Sequence, residues 1–208
     1  ENNITVVHVV SSLKFALKCV DAKVDAIVAE GFEAGGHNGK NQTTTLCLIP
    51  NVAKNIDLPV IAAGGIASGS SMLAAFSLGA EGVQIGTRFA VCRESSSHAR
   101  FKKYIFNSNE GDTDLTLKEL TPVRLLKNDF YQKIKKAYSR HATKEELINI
   151  LGRGRAKKGI FEGDLVEGEL EIGQISAMVN KMESASEIIE DVISEFKFKK
   201  EKIQNSFF

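Results

Sequence analysis

The chain contains no tryptophan, three prolines and three cysteines in 208 residues. Cys19, Cys47 and Cys92 are well separated, with no CxxC pair and no His/Cys grouping at metal-ligand spacing. That argues against a disulfide framework and against any metal site, and it fits a reducing, cytoplasmic compartment. No apolar run approaches the roughly 20 residues that a membrane span needs, and nothing at the start reads as a secretory signal. Charge of one sign is not in excess either: 27 basic residues face 26 acidic ones, a formal net charge of +1. Apart from the stretch Lys197 to Lys202, read as the solvated end of a helix, no basic patch suggests nucleic acid. What remains is 43% hydrophobic and 25% charged, the profile of a globular chain of one large domain or two small ones. It opens on Glu1 and enters a strand pattern almost at once, so its start reads as trimmed or internal to a longer protein.

Four β-branched runs occupy the first 90 residues: ITVVHVV (4–10), AIVAE (26–30), PVIAAGG (59–65) and GVQIGT (82–87). They are nearly continuously apolar, as strands buried on both faces of a parallel sheet are. Helical segments separate them. Ser11 or Ser12 can cap one carrying Leu13, Ala16, Leu17 and Val20; a second runs from Ser68 to Leu78 and stops at Gly79; a third covers 95–106. Strand and helix in this alternation mean consecutive right-handed βα units, in a (βα)8 barrel or an open doubly wound sheet. Four strands are half of such a barrel, so either the others lie outside this chain or the sheet is open. Beyond about residue 110 strand signals fade, save a weak one at 115–117. Thr143 with Glu146 and Ser184 with Glu187 then announce helices, the second with an apolar face of Ile188, Ile189, Val192, Ile193 and Phe196. We therefore divide the chain into 1–109, half a barrel, and 110–208, a mainly helical capping region.

Three strands end in glycine: Gly35-Gly36-His37, Gly64-Gly65-Ile66 and Gly86-Thr87. Bare backbone at a strand end lets a ligand approach and lets N–H groups point at it. One glycine pair alone reads as a tight turn, but two such turns on consecutive strands read as a phosphate pocket. The helix start Ser68-Gly69-Ser70-Ser71 is expected to add N–H groups to it, and Thr87 a hydroxyl. His37, following a glycine pair at the same end, is a general-base candidate because imidazole exchanges protons near neutral pH. His8 reads as lining a pocket or barrel; His98 and His141 receive no role.

The motifs AEGFEAGGHNG, PVIAAGGIASG, GAEGVQIGTRF with CRESSSHARFKKYI, and GRAKKGIFEGDLVEGELEIGQISAMV resemble, in this order, those of the nitronate monooxygenase (2-nitropropane dioxygenase) family. These are FMN-dependent barrels related to flavin-containing enoyl-acyl-carrier-protein reductases. The resemblance implies an α/β fold, a (βα)8 TIM barrel whose C-terminal four βα units this chain carries with a helical appendage. It implies bound FMN, with Gly64, Gly65, Gln84, Ile85, Gly86 and Thr87 at the ribityl phosphate and Gly35 beside the flavin. Gly36 and Glu30 join that cofactor set. His37 falls on the base that takes the α-proton of a nitroalkane or orients the nitronate. Where nitronate monooxygenases commonly carry Gln, this chain has Glu30, which is more like the enoyl reductase branch.

The activity so implied is oxidation of nitronates or nitroalkanes by dioxygen, with a small-molecule substrate and neither nucleic acid nor membrane as partner. The alternatives are NAD(P)H-dependent reduction of an enoyl thioester and a phosphate-binding half-barrel without turnover. A sugar-phosphate aldolase or isomerase ranks last, because Glu30 and Glu33 have no partner lysine at a strand end. A half-barrel exposes strand edges and an apolar face, so the chain is expected to need its N-terminal half or a second copy of itself.

Overall fold

Continuous apolar character suits a strand that is covered on both faces, and the four runs do become strands of one parallel sheet. In the computed structural model, which describes residues 3–206, the order is β1 (Val7–Val10), α1 (Leu13–Asp21), β2 (Ala26–Glu30), β3 (Gly36–His37), α2 (Thr45–Ala53), β4 (Val60–Ala63), α3 (Gly69–Ser77), β5 (Gly82–Gln84), α4 (Thr87–Ala90), α5 (Ala99–Phe106), β6 (Thr113–Thr116), β7 (Val123–Leu126), α6 (Asp129–Ser139), α7 (Lys144–Leu151), α8 (Arg155–Ile160), a 3-10 turn (Gln174–Met178) and α9 (Ala185–Ser206). Two compact units result. One holds the residues up to Ala34, Asn41–Ile85 and Ser186 onward; the other holds Gly35–Lys40 and Gly86–Ala185.

The first unit is the parallel sheet, in the order β1-β2-β4-β5. Val28 stands opposite Val9 and Ile61, and Ala63 opposite Glu30 and Gln84. The α/β expectation is met; β2 coincides with its run, while β1, β4 and β5 are shorter than the apolar runs that announced them. Ile27, Leu48, Ile49 and Val52 are at most 1% exposed, so α2 covers the sheet closely. The sequence reading passed over this helix, whose apolar residues are nearly continuous and interrupted by Pro50, which hides a helical period. Ser12 caps α1 by accepting from the Phe15 N–H. Ser68 and Ser71 form the capping box of α3, and Gly79 follows it at φ +100°, the left-handed stop expected there. Along α9, Ile188 and Val192 are buried and Phe196 meets Phe76 edge-on at 5.5 Å. The edge strand β1 leaves Val7 and Val9 nearly half exposed, the open apolar border of a sheet with no further strand beside it among the described residues.

In the second unit an antiparallel sheet, β3-β7-β6, corrects the expectation that strands fade beyond residue 110. Pairing across β6 and β7 runs from Thr113 opposite Leu126 to Thr116 opposite Val123. Its core is Leu117, Leu125, Phe130 and Ile134, none of them accessible. Asn128 caps α6, and Thr143 with Glu146 closes the expected box on α7. The helix read over 95–106 begins only at Ala99, because the His98 side chain caps it by accepting from the Arg100 N–H. Arg155 ties α7 to α8: its guanidinium donates to Ile150 O, Leu151 O and Glu167 O at 2.7 to 2.9 Å and lies 4.6 Å from the Phe130 ring.

Candidate active site

The strand ends of the first unit are held by one threonine. Thr45 Oγ1 lies 3.0 Å from Glu33 Oε2 and 2.7 Å from Gly64 O, and its N–H donates to the same carboxylate at 2.9 Å. Glu33 is therefore the cap of α2, replacing the bond that Thr44 does not make. Gly64 and Gly65 turn at φ +86° and +73°, which L side chains rarely adopt, and a Cβ on Gly64 would come 2.7 Å from Gly31 O. Glu30, half-buried at the end of β2, has its carboxyl pushed above the usual carboxylate range by desolvation. Gln84 is exposed, whereas Ile85 packs on the core. The start of α3 does not wait for an outside anion: Glu195 accepts from the Gly69 N–H at 3.0 Å and from Ser70 Oγ at 2.5 Å. A carboxylate of the chain itself thus takes the place expected for a phosphate at that helix.

The second unit builds its site on one edge of β7. Since β6 occupies the opposite edge over 123–126, both β3 and the segment around Glu171 share the remaining one. Gly36 pairs with Arg124 and His37 with Val123; Glu171 then bridges Leu125, and the Leu126 N–H donates to Leu170 O at 2.9 Å. This places Glu171 Oε2 2.8 Å from where a Gly36 Cβ would stand, and Gly36 has φ +75°. Gly35 faces the backbone of Ile172 and Gly173, 2.3 and 2.4 Å from its missing Cβ. The Gly173 N–H donates to the buried Thr87 Oγ1 at 3.1 Å, leaving the threonine hydrogen available. Beside Thr87, Arg88 is buried in a 2.9 Å ion pair with Glu183. Gly86 is exposed, and a Cβ added to it would meet nothing within 4 Å.

Residues 171–173 thus gather Gly35, Gly36, His37 and Thr87 in one place. Of the sequence candidates, Glu30, Gly64, Gly65, Gln84 and Ile85 belong to the first unit. Glu169 and Glu171 are additions. Their signal lay in GELEIG, where a locally extended chain sends alternate residues to one face, but the strand it pairs with lies far from it in sequence. The imidazole of His37 is exposed; Glu171 is half-buried, raised by desolvation and pulled down by His37. Glu169 is only 6% exposed, and its Oε1 has no hydrogen-bond partner among the described residues. Burial foremost, and the Glu171 charge second, push its carboxyl up to about 7 against the pull of Arg155. His8 is exposed on β1, and His141 stands at φ +56° after α6.

A raised acid makes stability depend on pH. The folded chain keeps the Glu169 proton where the unfolded chain gives it up, so this contribution is whole below about pH 4.5 and is lost as pH rises through about 7. With solvent screening, the loss is expected to be about 2 kcal/mol. Denaturant unfolding at pH 5 and pH 8 should show it in the native chain and not in Glu169→Gln; equal pH dependence in both would refute it.

The sequence profile of the nitronate monooxygenase family matches residues 1–195. The chain belongs to that family. A probable nitronate monooxygenase of Staphylococcus saprophyticus is 33% identical over 206 residues, 94% of this chain and 57% of that protein. FabK from Thermotoga maritima superposes with a TM-score of 0.91 at 38% identity, over 98% of this chain and 64% of that one. Nitroalkane oxidase from Streptomyces ansochromogenes gives a TM-score of 0.77 at 27% identity, over 95% and 58%. The chain therefore spans somewhat over half the length of this curated family relative. Among the described residues no helix is long and apolar enough to cross a membrane, and no cluster of His, Cys, Asp and Glu has the arrangement of a metal site.

Proposed function

We propose that this chain is the C-terminal part of a flavin-dependent oxidoreductase that oxidises nitronates and nitroalkanes with dioxygen. Its four parallel strands are then the last four of a (βα)8 barrel, completed by an N-terminal half or by a second copy. The region 110–208 serves as the substrate cap. The observation that carries this reading is the exposed His37 imidazole on the edge of β7, with the Glu171 carboxylate packed over the adjacent Gly36.

Gly86 and Thr87 suit the phosphate of FMN. Gly86 offers open backbone at the start of α4, and Thr87 a fixed hydroxyl with a hydrogen to donate, which is what a phosphate oxygen needs. Gly35 and Gly36 have their bare faces filled by residues 171–173, so their part is to let that segment close on His37. In the first unit, Glu30, Gly64, Gly65, Gln84 and Ile85 carry the flavin contacts that the family resemblance implies. FMN, when bound, supplies the two-electron chemistry that side chains lack. His37 takes the α-proton of the neutral nitroalkane on its imidazole, leaving the nitronate anion, and the carboxylate of Glu171 steadies the imidazolium so formed. With a nitronate already formed, His37 only orients it.

Gly86→Val isolates the cofactor site. Its φ of −93° suits any residue and its Cβ has free space, so the fold should be untouched. FMN affinity is expected to fall at least about tenfold, roughly 1.4 kcal/mol. Flavin fluorescence titration checks this, and unchanged affinity would take Gly86 out of the site.

A second reading, NAD(P)H-dependent enoyl thioester reduction, is favoured by Glu30, whose half-buried carboxyl stands where nitronate monooxygenases commonly carry Gln. In it His37 would assist protonation of the substrate α-carbon. Incubating the FMN-supplemented chain with an alkyl nitronate in air should release nitrite and consume oxygen without any pyridine nucleotide. NAD(P)H oxidation that requires an enoyl thioester would decide for the second reading, and neither activity would leave a phosphate-binding piece.

A further inference from the structure

Glu169 has no place in the chemistry above, yet it is the carboxylate least expected of a merely structural residue. It is buried, lacks a partner for Oε1, and stands two residues before Glu171 where that residue bridges β7. A buried carboxyl with an unmatched oxygen tolerates a proton far better than a charge. The charged groups acting on it are Glu171 and, from α8, Arg155, whose guanidinium is already engaged by Ile150, Leu151 and Glu167. On β7 itself Arg124 is buried, with its guanidinium toward Thr113 Oγ1 of β6 at 3.4 Å. Glu171 in turn answers to His37. The three titratable side chains therefore form a series, Glu169, Glu171 and His37, with each coupled to the next.

We propose that Glu169 and Glu171 are one coupled acid pair behind His37. Glu171, packed over Gly36 next to His37, is the positioning residue of the imidazole; Glu169, buried with an unmatched oxygen, sets how much negative charge the site carries and so whether it accepts an anionic or a neutral substrate. Two carboxyls that couple cannot both ionise cheaply, so a charge on one favours the proton on the other. When Glu169 releases its proton to solvent at higher pH, a second negative charge is added. A nitronate anion is then repelled, while a neutral nitroalkane, or a thioester, is not. The substrate half of this inference rests on the function proposed above; the pair itself does not.

Two measurements on the full chain separate the halves. In pH-difference infrared spectra, the C=O stretch of a protonated carboxyl should disappear as pH rises through about 7, the range expected for Glu169. The band should be absent in Glu169→Gln and should titrate at lower pH in Glu171→Gln, because the neighbouring charge that adds to the effect of burial is gone. A band that titrates identically in Glu171→Gln, or no such band near neutrality, overturns the pair. Should Glu169→Gln not fold, the Glu171→Gln shift still decides. For the flavin-loaded chain, KM for an alkyl nitronate should climb above neutral pH by up to about tenfold per pH unit, the limit for one proton. The kcat should hold, and KM for the parent nitroalkane should not follow. In Glu169→Gln the climb should vanish. A flat KM in the native chain overturns the specificity role even if the infrared result stands, and a chain that turns over no nitro compound refutes the proposed function without touching the pair.

Discussion

His37→Ala is expected to slow turnover of a neutral nitroalkane by about 10²–10⁴-fold, the usual contribution of a positioned proton acceptor. The fold should not suffer. His37 is held by backbone pairing with Val123, while its ring is exposed, so truncation uncovers little that was buried. The loss should be lopsided. A preformed nitronate has already lost its α-proton, so its turnover should fall much less than that of the nitroalkane. Steady-state rates on both substrates, with flavin content measured in parallel, check this. Equal losses on both would mean that His37 orients the substrate rather than deprotonates it. No loss on either would remove it from the mechanism.

The second large effect concerns the fold. Lys102→Met should destabilise the chain by about 3 kcal/mol, since hydrogen bonds from a charged donor are worth roughly 1.5–3 kcal/mol each. For a chain of 208 residues that is about 10 °C in Tm. Lys102 is only 5% exposed, and its Nζ donates to Cys92 O at 2.6 Å and Ser95 O at 2.9 Å, with Arg93 O at 3.5 Å. A cationic side chain inside a ring of carbonyls fastens the turn between α4 and α5, and thioether sulfur cannot donate to any of them. Arginine should not rescue it, because a planar fork does not reproduce three diverging donors. Thermal melts of the three chains test this; a methionine variant melting with the native chain would show that the turn holds without the ammonium.

The parallel strands were legible because their apolar runs do not alternate, and α3 because Ser68 and Gly79 punctuate it on both sides. His37 could be read as a candidate since a histidine directly behind two glycines has few reasons to be there. The antiparallel sheet could not. β3 is two residues long, and β7 carries a buried arginine just after Pro122, so its strand character comes from its neighbours and not from its pattern. The same applies to acids. Glu33, Glu195 and Glu171 look alike in sequence. One caps α2, one sits on the start of α3 from the far end of the chain, and one covers Gly36. Which becomes which depends on contacts between residues far apart, and local spacing does not encode those.

That distance has a kinetic consequence. The edge of β7 receives His37 from early in the chain and Glu171 from late in it, and both closures are costly in loop entropy until the second is made. Helices such as α6 and α7 can form from neighbours alone, so secondary structure should return early in refolding. His37 and Glu171 meet only when both chain segments have docked on the strand between them. In a refolding experiment, helical signal should therefore recover ahead of competence, with the site among the last parts of the molecule to come to rest.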